Sequence, residues 1–333
     1  MSARNHFAEY GTEKMIFDVR QGPQAICHDD IIYVVYQANQ HEQIAHPHIA
    51  AYDRSTRRWS DPKQIGENVQ RYDHHYAPII WVDNNQYLHV LYGCHVSPGT
   101  HLVSRHPNAI HEWLPGPPIA DTISYPTMLR ITDGKFLFFY RALGHPGFWC
   151  YRLSEDGGYT WSESRRLIDL DQDPREDDDG DTWAGSYPSV CLSQDGHSLH
   201  IGFVYWDERL DLPIGSKKRR HPKYKIRKRS RARYNLYYLR LAIDTGQLFT
   251  ASGDHIEEWR SKDAGATWQR FRQIAPDPNF YYNNPRLVEI SSGGTVENQI
   301  VFFGWSGSGS IEANEAVDRN RAQAYLWHDG RYL

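Results

Sequence analysis

The chain has 333 residues and a mass of 38.8 kDa, enough for one large core or two ordinary domains. With 40% hydrophobic and 14% aromatic residues, including 11 Trp and 22 Tyr, it excludes a mainly disordered polymer and suits a sheet-rich fold with aromatic cross-strand packing. The formal charge of -4 gives no reason to expect nucleic acid as a partner, and no segment approaches a membrane span in length and apolarity.

The predicted elements are short strands. IIYVVYQ (31–37), YLHVLYG (87–93), KFLFFYR (135–141) and LHIGFVYW (199–206) are rich in Val, Ile, Tyr and Phe, and each follows a turn containing Asp, Asn or Gly, as hairpin chemistry requires. APIIWV (77–82), YPTMLRI (125–131) and YPSVCLS (187–193) supply a strand before three of these turns. HIAAYD (48–53), GFWCYRLS (147–154) and NLYYLRLA (235–242) supply a strand after the runs. The unit recurs at roughly 45 residues without a helix between copies, and radial repetition of small antiparallel sheets is the propeller solution. FAEYGTEKMIFDV (7–19) is expected to add an outer strand that closes the ring against AQAYLWHDGRYL (322–333).

SEDGGYTW (154–161) and SKDAGATW (261–268) share the pattern S-x-D-x-G-x-T-W. Asp156 and Asp263 can bond to backbone and hydroxyl groups in a tight turn, Gly158 and Gly265 permit close backbone approach, and Trp161 and Trp268 pack between sheets. STRRW (55–59) and IHEW (110–113) are degenerate versions. These Asp boxes mark propeller blades and carry no reaction. The fold predicted is all-β: one β-propeller domain over 1–333, with seven blades preferred over six and one blade reduced. An acidic insertion near 169–183 and a basic insertion near 215–233 interrupt it. The basic run could steer an anionic polymer, could equally bind nucleic acid or another protein, or could be a mobile basic loop between strands. Asp177, Asp178, Asp179 and Asp181 offer hard oxygen ligands for calcium, without the spacing of a known calcium loop.

RYDHHYAP (71–78) and GCH (93–95) place histidines at both ends of one unit, and SYP (124–126) with FYR (139–141) frames the next. His75 and His95 are 20 residues apart, Tyr125 and Arg141 are 16 apart, and in each case a hairpin returns the later residue beside the earlier one. Such a set suits elimination across C4–C5 of a uronate. That reaction needs a base for the C5 proton, neutralisation of the carboxylate and an acid for the departing oxygen. Histidine and tyrosine can move the proton, and arginine can clamp the carboxylate. The alternatives left open are a propeller glycoside hydrolase removing a terminal sugar, and a non-catalytic carbohydrate-binding propeller.

From RYDHHYAPIIWVDNNQYLHVLYGCH through SYPTMLRITDGKFLFFYR to SEDGGYTW, the chain resembles the BNR-4 repeat proteins, a group that includes the propeller ulvan lyases. The resemblance implies metal-independent β-elimination on an anionic, uronate-containing and optionally sulfated polysaccharide. It implies His75 as base with His95 beside it, Tyr125 or Tyr187 as the acid or base oxygen, and Arg141 on the carboxylate. His74, Arg71 and His145 are candidate substrate contacts. Some relatives of this kind hold a structural zinc. Here His145 and Cys150 offer two ligands, with Cys191 and His200 as further candidates, short of a recognisable closed tetrahedral set. The start of the chain, MSARNHFAEYGTEK (1–14), lacks an apolar signal segment, so the sequence reads as cytoplasmic, or as secreted or periplasmic if it is a trimmed mature chain.

Overall fold

The computed structural model describes residues 16–39, 43–131, 134–144, 147–169, 184–207, 232–251, 253–256, 280–282, 286–290, 299–308, 321–328 and 331–332. The described residues contain no α-helix, as the short, β-branched and aromatic runs predict. The second Asp box, most of the acidic run, the basic run up to residue 231 and His145 lie outside them. The chain divides into two compact units, Met1–Gly144 with Cys150–Arg165, and His145–Trp149 with Arg166–Leu333.

In the first unit, β1 (Ala25–His28), β2 (Ile31–Ala38), β3 (His46–Asp53), β4 (Arg58–Trp59) and β5 (Lys63–Gln64) make one antiparallel sheet. The next is ordered β10-β9-β7-β6, from β6 (Ile79–Val82), β7 (Leu88–Tyr92), β9 (Thr100–Ser104) and β10 (Trp113–Pro115). The strand between, β8 (His95–Ser97), leaves this sheet and pairs with β11 (Ile123–Arg130) of the third. The third sheet runs β14-β13-β12-β11-β8, with β12 (Phe136–Arg141), β13 (Trp149–Ser154) and β14 (Arg165–Ile168); Trp149 and Arg166–Ile168 are counted with the second unit. Such exchange of one strand ties successive repeats together and puts the residue after YGC next to the start of the following repeat. A core of Tyr33, Val35, Ile49, Ile80, Val82, Leu88 and Val90 fills the space between the first two sheets, and each buried side chain of this kind contributes about 1.5–3 kcal/mol.

In the second unit a ten-stranded antiparallel sheet contains β15 (Ala184–Leu192), β16 (Ser198–Asp207), β17 (Ala232–Ala242), β18 (Leu248–Phe249), β19 (His255–Ile256), β20 (Phe280–Tyr282), β21 (Arg286–Ile290), β22 (Gln299–Ser308), β23 (Arg321–His328) and β24 (Arg331–Tyr332). β17 begins at residue 232, so the last two residues assigned to the basic insertion belong to a strand.

The Asp box at 154–161 folds as its residue types dictate. Asp156 Oδ1 accepts from the amides of Tyr159 and Thr160 at 3.1 and 2.9 Å, and Oδ2 accepts from the Thr160 hydroxyl at 2.6 Å. Burial alone would raise this carboxyl, but hydrogen bonds from Thr160, Ser154 and Tyr159 bring it down to about 2. The degenerate box near 55 uses the same device, with Asp53 accepting from Ser55 and Thr56. Gly157 and Gly158 carry the box onto the neighbouring sheet, where Trp81 Nε1 donates to the Gly157 carbonyl at 3.0 Å. Trp81 also stacks on His89 and His101, whose rings meet Nδ1 to Nε2 at 3.0 Å beside Asp83.

The expected outer strand at 7–19 is not formed in its described part. Residues 16–24 form no strand; the Ile16 carbonyl accepts from the Gln37 amide at 2.9 Å. The segment then crosses to the third sheet. Gly22 forms a bridge with Thr127, its amide donating to Pro126 at 3.0 Å and its carbonyl accepting from Met128 at 2.8 Å. Gln21 Nε2 donates to the Ala77 carbonyl at 2.7 Å.

Two predictions follow from the packing. Gly158 has φ +107, and a Cβ there would lie 2.9 Å from Trp81 Nε1. Gly158→Ala should therefore destabilise the protein by about 1–3 kcal/mol, read as a lower thermal midpoint. Burial pushes His101 and His200 from 6.5 down to about 4. The unfolded chain takes up these protons near 6.5 and the folded chain does not, so stability is full above that pH and is lost as pH falls towards 4, by up to about 3 kcal/mol per ring. His101→Gln and His200→Gln should each flatten the dependence of the thermal midpoint on pH in that window.

Candidate active site

The DHH motif is a single 3-10 turn, His74–Tyr76, with Asp73 as its N-cap. An aspartate in this position accepts from the amide two residues on, and Asp73 Oδ1 does so with His75 at 3.0 Å. The same oxygen accepts from His75 Nδ1, while Oδ2 lies 3.2 Å from His95 Nδ1. The two rings stack with centroids 4.2 Å apart. One carboxylate thus orients both histidines that the sequence pairs across the hairpin.

The second pair is brought in by register. Ser124 is the Cα partner of His95 on one side and of Arg141 on the other. The ladder shifts between Ser124 and Thr127, and the residue in that bulge, Tyr125, has φ +53. A bulky residue in the left-handed region costs on the order of 1–3 kcal/mol and clusters at functional sites. The bulge turns the phenol so that Tyr125 Oη lies 3.0 Å from His75 Nε2. Arg141, fully buried, holds its guanidinium 4.7 Å from the centre of the Tyr125 ring.

Two residues that the motif reading does not contain complete the cluster. Asp18 is fully buried and accepts from Arg20 Nε and Nη2, both at 2.9 Å. Arg20 Nη2 lies 2.7 Å from His74 Nε2 and 3.1 Å from His75 Nε2. Its guanidinium is also 4.7 Å from the centre of the Tyr125 ring. FDVRQG carries no repeat and no motif; only its docking on Ala77 and Pro126 brings it to the site. Asp73 was in view as the first letter of DHH, and its role as turn cap was the signal available.

Burial alone would raise Asp73, but hydrogen bonds from His75 and His95 hold its carboxyl well below the usual carboxylate range. Burial pushes His75 below its ordinary value of 6.5; the Asp73 carboxylate opposes this, and the rings of His95 and His74 add to it. His75 is therefore neutral near neutral pH, with Nδ1–H on Asp73 and a lone pair at Nε2. That is the state a proton acceptor needs.

The other expected residues make the following contacts. Arg71 is exposed and donates to Gln43 Oε1 at 2.9 and 2.6 Å. Tyr187 belongs to the second unit, where it is buried on β15 opposite Val204. Cys150 is buried with its thiol on the Tyr140 carbonyl, and His200 Nδ1 meets the Tyr238 hydroxyl at 2.7 Å. Among the described residues, the groups that bring three potential metal ligands together are Asp18 with His74 and His75, and Asp73 with His75 and His95. Neither includes the zinc candidates. In the first, the Arg20 guanidinium already contacts all three; in the second, both rings face the carboxylate at hydrogen-bonding distance. These donor sets suit a proton relay.

An all-β chain with Asp-box turns and a histidine–tyrosine–arginine cluster at the junction of two repeats is a β-propeller built around an ionisable site. A model of the BNR repeat-containing family matches residues 32–277, and the chain belongs to that family. It is 22% identical over 352 residues to an ulvan lyase of Nonlabens ulvanivorans, covering 94% of this chain and 70% of that one. It is 23% identical over 345 residues to an ulvan lyase of Alteromonas sp. (strain LOR), covering 93% and 63%. Among solved structures, a family PL25 ulvan lyase bound to -[GlcA(1-4)Rha3S]- superposes with a TM-score of 0.79 at 17% identity, over 99% of this chain and 73% of that one. At that identity the likeness carries the propeller fold.

The tautomer assignment can be checked in the ligand-free protein. Because Asp73 raises His75 against the effect of burial, Asp73→Asn should make His75 titrate at a lower pH than in the wild type, followed by nitrogen chemical shifts.

Proposed function

We propose that this protein is a polysaccharide lyase that cleaves a uronate-containing polysaccharide by β-elimination. The observation that carries the reading is the Asp73–His75–Tyr125 chain, in which a neutral imidazole backed by a carboxylate shares a hydrogen bond of 3.0 Å with a phenol. The activity of the relatives, and the glucuronate–rhamnose sulfate bound in one of them, support a uronate and a sulfated polymer as the substrate class.

The elimination moves one proton from C5 to O4. The C5–H bond breaks, its electrons form the C4=C5 double bond, and the C4–O4 bond breaks as O4 is protonated. His75 Nε2 is the base and Tyr125 the acid. Their contact lets the proton gained by His75 replenish Tyr125, which resets the pair without solvent. His95 and His74, more exposed than Tyr125, are the rings placed to bond the uronate carboxylate. Arg141 is buried behind Tyr125, so its charge acts first on the phenol, stabilising the phenolate left when the proton departs. That differs from the direct carboxylate clamp that the sequence suggests.

The test is ultraviolet absorbance of an unsaturated uronate product during incubation with a panel of uronate polysaccharides, ulvan among them. The wild type should produce the chromophore, and His75→Ala and Tyr125→Phe should each lose about 10²-fold or more in kcat with an unchanged circular dichroism spectrum. Reducing ends released without the chromophore would replace the lyase with a hydrolase. A folded His75→Ala variant with full turnover would remove His75 from the role of base.

A further inference from the structure

The sheets alone do not account for the charge around His75 and Tyr125, because part of it arrives on residues 16–24, which belong to no sheet. Arg20 comes from that segment, and its guanidinium is fixed from behind by Asp18, a fully buried carboxylate that takes two of its N–H groups. Arginine can only donate hydrogen bonds and stays charged at every working pH. Its approach to His74 Nε2 at 2.7 Å and to His75 Nε2 at 3.1 Å therefore requires a lone pair on each nitrogen. The guanidinium also lies over the Tyr125 ring at the same 4.7 Å as that of Arg141.

We propose that the Asp18–Arg20 pair is a positioning device for the proton-transfer step: it keeps His75 Nε2 unprotonated at rest, and supplies with Arg141 the positive charge that stabilises the Tyr125 phenolate. This rests on the lyase reading above. When His75 takes the C5 proton, its new Nε2–H bond is incompatible with a donor from Arg20. The arginine hydrogen then stays on His74, its shorter contact, and the Asp18 bonds are untouched. When the proton passes from His75 Nε2 to the Tyr125 oxygen, the lone pair returns and so does the contact with Arg20. No bond to Arg20 is made or broken covalently, and the proton balance is that of the elimination itself. His74 is thereby the acceptor that holds Arg20 while His75 is occupied.

The groups facing His75 are Asp73 and His74 on its own turn, His95 from β8, Tyr125 from β11, and Asp18 with Arg20 from the preceding segment. Asp18 and Asp73 favour the imidazolium, and Arg20 opposes it at 3.1 Å. Removing that cation should raise the pKa of His75 and weaken the stabilisation of the phenolate.

The experiment uses Arg20→Gln in the full chain, with kinetics on whichever uronate polymer the wild type cleaves and nitrogen shifts of the ligand-free histidines. We expect kcat to fall by about tenfold to hundredfold with KM changed less than about threefold. The acid limb of kcat/KM and the titration of His75 should both move up by about one pH unit. Arg20→Lys, which keeps the charge and loses the fork, should recover part of kcat and most of the titration shift. Because Arg20→Gln leaves a buried carboxylate unpaired, Asp18→Asn/Arg20→Gln is measured beside it and should show the same loss of kcat if the single variant fails to fold. Unchanged kcat and an unchanged His75 titration in a folded variant would overturn the proposal. A wild type inactive on every polymer, with the His75 shift still present in Arg20→Gln, would overturn the lyase reading and leave the control of His75 by Arg20 standing.

Discussion

The Asp73 carboxylate is the constraint on which the site depends. It caps the turn that leads into β6 of the second sheet, fixes the tautomer of His75 and holds His95 in a stack with it. A half-buried carboxylate is tolerable only when its lone pairs are met by donors, and here the donors are the very rings whose orientation matters. Local backbone geometry and long-range assembly thus close on one side chain. Asp73 Oδ1 is met within its own turn by His75, while Oδ2 is met by His95, which β8 delivers from the far end of the hairpin.

Tyr125 shows how the sheets add the second component. β11 could have continued its ladder past Ser124, with the tyrosine pointing along the regular alternation. The bulge instead rotates this one residue into the left-handed region, where its ring meets His75 at the edge and two guanidiniums over its surface. Glycine would relieve the strain and would forfeit the phenol. A strained backbone held by Ser124, which is paired on both sides, is a reasonable exchange only where the side chain has work to do.

How much of this was legible in the sequence depends on which physical signal each part leaves. Alternating β-branched and aromatic runs with Asn-Asn, Asp-Gly and Asp-Asp turns announce the strands, and the strands expected from residues 77, 125 and 187 start close to those positions. S-x-D-x-G-x-T-W announces its own hydrogen bonds. The spacing of His75 with His95, and of Tyr125 with Arg141, correctly implied that hairpins return one to the other. Three things were not readable. Burial of Arg141 against the phenol follows from packing in the third sheet and leaves no mark in FYR. The positive φ at Tyr125 has no glycine to signal it. Arg20 reaches its partners over more than 50 residues, from a stretch whose apolar content suggested an outer strand. Pairing between non-repetitive segments has no period, and a reading built on period passes over it.

The segment that carries Arg20 is stitched to the third sheet by the Gly22 bridge and to the turn by Gln21, but it contributes no strand to any blade. Part of the charge at the site therefore has an address in the chain separate from the sheets. A protease cut just ahead of β1, or a homologous recombination event with its junction there, would hand over intact blades bearing Asp73, His75, His95 and Tyr125, and would leave the arginine behind. Descendants of such an event would keep the outline of the family and most of its recognisable letters. They would lack the buried Asp18–Arg20 pair that reaches His74 and His75.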